Sequence, residues 1–359
     1  MIRTKTVLPC AAALLAAVQI LPAVAADSGE STTFSGKIFV DFTNLDLTNN
    51  GVDSAANGTG IDVKRFYLGA THNFDDIWSA NLTTDFNYVS NDSETQLYVK
   101  KAFIQAKLSD ALVLRAGSAD LPWVPFVEDL YGLRFVENVI IDRLKFGTSA
   151  DWGIHALGKV ADGKVNYDAA IINGAGYKNP TRTNSMDMEV RVGFVPLAGL
   201  NLALGGYSGK LGKDIEGGAP TLHTAQRIDA LAAYVAGPLR LGAEYFQAKN
   251  WAQVTTVATD KADGFSVWGS YNFNPKLGVF ARADSAKTSK DLNSDLKDEY
   301  FNVGLVSHPR KNIDIALVYK HEKVTGGGVI NTTNGNIGSA IGTGEGKYDE
   351  VGLWAQAAF

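Results

Sequence analysis

Catalysis needs a constellation of reactive side chains, and this sequence offers little from which to build one. Its five histidines, His72, His155, His223, His308 and His321, form no HExxH pattern and no close pair, so a metal-ligating face is not indicated. Gly206-Tyr207-Ser208-Gly209 only approximates the GxSxG turn that presents a nucleophilic serine, and it falls at a strand end. Phosphate-cradling loops are missing too, because Gly346-Lys347 runs into Tyr348 and Gly163-Lys164 into Val165. A triad assembled from distant strands, for example His155 with an inward serine, is the catalytic alternative, since triads are defined by geometry rather than chain order. The reading is therefore not an enzyme, with no cofactor and no metal. What stands out instead is charge: Arg65, Lys101, Lys107, Arg115 and Lys159 on alternating segments, and Glu128, Asp129, Arg134, Glu137, Asp142, Arg143 and Lys145 in one non-alternating stretch. Walls of fixed charge act on ions by their field, without bond chemistry.

The chain that must position these charges has 359 residues, 45% apolar and 20% charged. Beyond the first 26 residues no apolar run approaches the roughly 20 residues of a membrane-spanning helix. Residues 1–26 read as a signal peptide: Arg3 and Lys5 start it, Val7 to Val24 is apolar, and Ala23-Val24-Ala25 suits cleavage. Cys10, the one cysteine, follows Pro9 and precedes the apolar core, an arrangement unlike a lipid-attachment site. The mature chain, 27–359, would then lack thiols and disulfides. Its net charge is −5 with the leader, and −7 once Arg3 and Lys5 are gone, which disfavours nucleic acid as a partner.

From Thr33 onward the hydrophobic period is two. Phe66, Leu68 and Ala70 alternate with Arg65, Tyr67 and Gly69; Leu200, Leu202 and Leu204 alternate with Asn201, Ala203 and Gly205. Such alternation predicts strands with one apolar face, sixteen in all, near 33–45, 61–74, 77–90, 95–108, 111–118, 150–160, 164–174, 186–195, 199–209, 223–236, 239–249, 262–273, 276–287, 297–308, 312–324 and 347–359. Short and long connections alternate. Tight turns are predicted at Asp75-Asp76, Ser109-Asp110, Asp162-Gly163, Pro196-Leu197, Gly237-Pro238, Asn274-Pro275 and Pro309-Arg310, with longer polar links, such as 46–60, 119–149, 209–222 and 325–346, between them. Sandwiches and solenoids give no reason for that asymmetry. An outer-membrane barrel does, with short periplasmic turns on one rim and long external loops on the other. Phe74, Phe194, Tyr234, Phe273 and Phe359 sit beside short turns or at the terminus on the apolar parity, as an aromatic girdle requires.

If the apolar parity faces lipid, the other parity faces the lumen. Strands one to six then contribute Lys37, Arg65, Lys101, Lys107, Arg115 and Lys159 against Asp41 and Asp85. Strands seven to sixteen contribute Arg191, Arg227, Arg240, Arg282 and Lys320 against Asp168, Asp187, Glu189, Asp229, Glu244, Asp284, Asp314 and Glu350. Unpaired buried charge is costly, so the interior is either wet or laced with salt bridges. The link 119–149 is long and its apolar content argues against disorder, with a cap lying outside the barrel as the alternative to an inward fold. It is expected to fold into the barrel, where its acids would face the basic wall of strands two to six and set up a transverse field. Trp123, Phe126 and Trp152 could alternatively offer a stacking path to carbohydrates.

Lys64-Arg65-Phe66-Tyr67-Leu68-Gly69, then Trp78, Asp85-Phe86, Tyr98, Ala102-Phe103-Ile104 and Leu114-Arg115-Ala116-Gly117 before Pro122 resemble the N-terminal half of the phosphate-selective porin O and P family. The resemblance implies a sixteen-stranded trimeric porin that passes anions. One departure is Ser118-Ala119-Asp120, an acid where that family tends to carry a lysine. The combined expectation is an all-β, 16-stranded antiparallel transmembrane β-barrel with an inward-folded constriction loop, in the outer membrane of a Gram-negative bacterium. It would be a homotrimer in contact with outer-membrane lipid, passing small hydrophilic solutes and inorganic ions by passive diffusion. A carbohydrate-specific channel, or a barrel enzyme or receptor, is the alternative.

Overall fold

Period-two segments can bury their polar faces together only if the sheet curls on itself, and the computed structural model of the protein shows that closure. It describes residues 30–88, 95–342 and 344–359; the leader expected at 1–26 lies outside the described residues. The barrel strands are β1 (Ser31–Asn49), β2 (Gly58–Asn73), β3 (Trp78–Tyr88), β4 (Thr95–Ser109), β5 (Leu112–Asp120), β6 (Ala150–Val160), β7 (Val165–Ile172) and β8 (Asp187–Leu197). They continue as β9 (Leu200–Gly209), β10 (Ala225–Ala236), β11 (Leu239–Lys249), β12 (Lys261–Asn274), β13 (Leu277–Lys287), β14 (Lys297–Arg310), β15 (Ile313–Thr325) and β16 (Gly346–Ala358). Each pairs antiparallel with the next. β16 returns to β1, with Lys37 opposite Ala358 and Asn49 opposite Gly346, so no edge is left open. All sixteen predicted strands are present, with ends displaced by a few residues.

The two rims differ as expected. Seven tight connections, at 74–77, 110–111, 161–164, 198–199, 237–238, 275–276 and 311–312, share one end. Their chemistry is local: Asp75 Oδ1 accepts the amides of Ile77 and Trp78 at 2.8 and 2.6 Å, and Asn274 Oδ1 accepts that of Lys276 at 2.8 Å. At the other end lie 50–57, 121–149, 173–186, 210–224, 250–260, 288–296 and 326–345; the link 89–94 lies outside the described residues.

The two faces are inverted relative to a water-soluble β protein. On β10, Ile228 is 63% exposed while its neighbours Arg227 and Asp229 are at 1% and 0%. Along β12, Phe265 and Val267 are exposed on the outside while Ser266 is buried within. All five girdle aromatics, Phe74, Phe194, Tyr234, Phe273 and Phe359, are exposed on the outer face. Phe359 also seals the closure. Its amide and carbonyl pair with Gly36 at 3.0 and 2.9 Å, and its ring covers Gly36 so closely that a Cβ there would lie 2.1 Å from it.

Candidate functional site

The inner loop is placed by its own sequence before any ion pair is considered. After β5 the chain enters 121–149 and forms α1 (Val124–Tyr131), with Pro125 in its first turn, where a missing amide costs nothing. Val124, Val127 and Tyr131 form one buried face at i, i+3 and i+7. Gly132, at φ 75°, ends the helix in the left-handed conformation. A second helix, α2 (Ile140–Arg143), follows. Trp123 is fully buried and lies on Gly205, where a Cβ would come within 2.4 Å of its ring. Its Nε1 donates to Glu244 at 2.7 Å and its amide to Glu189 at 3.2 Å.

Polar contacts then fasten this loop to the inner wall of β8 and β10–β16. Arg143, fully buried, reaches Asp284 (3.1 Å), Asp298 (2.5 Å) and Glu322 (2.5 Å) on three successive strands. Arg282 binds Asp284 at 2.7 Å and donates to the Asn138 carbonyl at 2.6 Å. Arg227 binds Asp229 and Glu189 at 2.8 and 3.2 Å. Lys320 spans Glu137 (3.5 Å) and Glu350 (3.2 Å). Burial would raise the Glu137 carboxyl, but Lys320, Arg282 and Arg143 hold it down at about 2. On this side the salt-bridge reading of the interior prevails over the wet one. Each buried charge has partners, and removal of one would strand the rest.

The wall of β2–β7 is arranged differently. Arg65 pairs with Asp85 at 2.8 Å. Lys101 pairs with Asp120, so the acid that departs from the family pattern neutralises a lysine of the basic cluster. Lys107 pairs with Asp110 at 2.9 Å on the short-turn rim, and Lys159 stands exposed at the same rim. Arg115 has no ion pair among the described residues; it donates to Gln105 at 2.9 Å and lies 5.0 Å from the Phe103 ring centre.

The charged loop residues divide between the two sides. Glu137 and Arg143 belong to the sealed network. Glu128 pairs with Arg134, which also approaches Asp142 at 3.9 Å. Asp129 is raised by burial and by Asp120, within the field of Lys37 and Lys101. Lys145 is lowered chiefly by burial, with Arg65 adding to it. The loop face toward β2–β5 thus mixes signs, where the sequence reading set the loop's acids against the basic wall.

Cavities flank the loop on both sides. One, of about 580 Å³ on the long-loop side, is lined by Arg65, Lys145, Tyr177, Lys178, Tyr207 and Trp251 among others. The other, of about 1210 Å³ on the short-turn side, is lined by Lys107, Phe126, Lys159 and Arg191 among others.

His155 is buried, and among the described residues neither ring nitrogen has a hydrogen-bond partner, so no serine is joined to it. No group of three metal-ligating side chains occurs among the described residues. Of the three aromatics suggested as a stacking path, Trp123 is fully buried. Phe126 is stacked by the Arg191 guanidinium at 3.8 Å, and the Trp152 Nε1 donates to the Tyr177 carbonyl at 3.0 Å.

The fold has close counterparts among solved structures. An anion-selective porin from Comamonas acidovorans superposes with a TM-score of 0.66 at 14% identity, covering 92% of this chain and 100% of that one. The outer membrane channel DcaP of Acinetobacter baumannii gives 0.63 at 12%, covering 93% and 99%. OmpT of Vibrio cholerae, in its trimer form, gives 0.61 at 12%, covering 92% and 100%. At such identities the likeness is one of fold. No family model matches the sequence, nor does any curated protein.

Several contributors escaped the sequence reading, Lys178 of the 173–186 loop among them. Glu322 and Asp298 complete the Arg143 cluster, and Glu322 lies two residues beyond Lys320, on the same parity. Lys100 lies over the Tyr67 ring at 4.7 Å. The ladder shifts register between Thr83 and Thr84 opposite it, and a bulge of this kind breaks strict alternation.

Proposed function

We propose that the protein is an outer-membrane porin: a water-filled channel for passive diffusion of small hydrophilic solutes and ions, acting without catalysis, cofactor or metal. The observation that carries this reading is the inversion of faces, apolar outside and ionised inside, in a closed barrel whose longest loop lies on its inner wall. An exterior of this kind suits hydrocarbon, and an ionised interior suits water. The Gram-negative outer membrane is the corresponding location. A trimer is the proposed assembly, supported by the trimeric form of one structural counterpart.

The channel is weakly anion-preferring in this reading. Lys100, Arg115, Lys145, Lys159 and Lys178 have no ion pair among the described residues; of the inner-wall acids, Glu189, Asp284 and Glu350 are matched by bases, while Asp151, Asp187 and Glu244 are held by neutral hydrogen-bond donors. Excess fixed charge of one sign in a narrow low-dielectric passage favours the opposite ion. The anion-selective counterpart supports this tilt. Specialisation for phosphate has weaker support, since Asp120 neutralises Lys101. Recording in a planar bilayer tests the reading. Stepwise conductance with a reversal potential on the anion side is expected in a salt gradient, and silence from well-folded protein would sink it. Light scattering of the detergent complex should give the mass of three chains.

A further inference from the structure

We propose that the cavity on the long-loop side binds a small organic carboxylate with a flat apolar body, through Lys145 and Lys178 with Arg65 beside them. This deepens the porin reading and rests on it for the solute's route.

Three separate elements bring these cations together: Arg65 from β2, Lys145 from the end of the inner loop and Lys178 from the 173–186 loop, all lining one cavity of about 580 Å³. The acids in its wall are already engaged. Asp151 accepts the amides of Gly174 and Gly176 at 2.9 and 3.0 Å. Glu189 is bound to Arg227 at 3.2 Å, and Asp142 accepts from Asn138 beside Arg134. Asp85 takes Arg65 at 2.8 Å and the Tyr177 hydroxyl at 2.6 Å. Among the described residues no carboxylate pairs with Lys145 or Lys178; the Lys178 ammonium instead lies over the Tyr98 ring at 4.6 Å.

Burial, reinforced by Arg65, pushes Lys178 down to about 8, and burial lowers Lys145 as well. Asp142 and Asp85 act on these lysines only at a distance and are themselves held by other partners, so a bound anion would relieve the remaining desolvation of Lys145 and Lys178. Lys145 also has φ 62°, a left-handed conformation unfavourable to lysine, and the Trp251 Nε1 fixes its carbonyl at 2.9 Å. Backbone held in such a state often marks a functional position. The size and lining select the anion class. A cavity of about 580 Å³ is far larger than one inorganic oxyanion needs, and Tyr207 and Trp251, with ring centres 5.0 Å apart, supply an apolar wall.

The test is calorimetric titration of the folded protein in detergent with benzoate, neutral benzamide and inorganic phosphate, beside bilayer conductance of the same preparation. Benzoate is expected to bind at about 1 mM or tighter, benzamide and phosphate markedly more weakly. K178Q and K145Q should each weaken benzoate about tenfold, as loss of a charge-assisted contact does, and K178R should restore much of the binding. Phosphate binding as tight as benzoate, or unaltered binding in both glutamine variants, overturns the proposal. Conductance without benzoate binding overturns this site and leaves the channel; binding without conductance retains the site and removes the channel.

Discussion

The two halves of the inner wall both carry ionised side chains and use them in different ways. Across β8 and β10–β16, buried acids outnumber bases in a network of ion pairs and hydrogen bonds that holds the inner loop, with Arg143 among Asp284, Asp298 and Glu322 as its centre. Across β2–β7, Arg115 and, from the 173–186 loop, Lys178 have no ion pair among the described residues and lie against aromatic rings instead. Counting charges along the chain does not separate these uses. Burial and pairing do: the first half sets where the loop lies, the second sets the field it bounds.

The largest effect should come from breaking the sealed half. R143M leaves Asp298 and Glu322 buried without their cation, at a cost of about 3–5 kcal/mol. A lower urea midpoint for the folded barrel is the expected result; an unchanged midpoint would mean the clamp does not hold the loop. Next is the open half. R115E should move the reversal potential toward cations clearly, and K101E less, because Lys101 is already neutralised by Asp120. Equal shifts would erase the distinction between paired and unpaired bases. Smaller again is the response to pH. A lysine lowered to about 8 is charged below that value and neutral above it, so anion preference should decline as pH rises from 7 to 9, and K178R should keep it. Smallest is D120N, which frees Lys101 and should raise anion preference slightly in the same salt-gradient measurement.

Much of this was legible in the sequence because a barrel repeats one simple rule. Alternation gave every strand, and Ala161-Asp162-Gly163, with φ of 53°, 54° and 80°, shows how directly turn residues mark a rim. The apolar content of 121–149 pointed inward for the same reason that Trp123 is buried: it had no other place to hide. Pairing was less legible. Arg143 finds its partners 141 to 179 residues away in sequence, a relation no local pattern contains. Lys100 was hidden by a register shift, which defeats a period-two reading at the one place it occurs in that ladder.

The reach of Arg143 has a consequence for how the molecule is made. Its anchoring carboxylates, and the hairpin at 329–338 whose Thr333 amide bonds the Arg143 carbonyl at 3.0 Å, all come from the last quarter of the chain. The inner loop, synthesised early, meets Glu189 and Glu244 as the middle strands form, but its Arg143 end has no carboxylate to grip until the final staves arrive and the cylinder shuts. The aperture is therefore the last dimension to be defined during biogenesis, and a chain stalled before closure would have a wall but no set width.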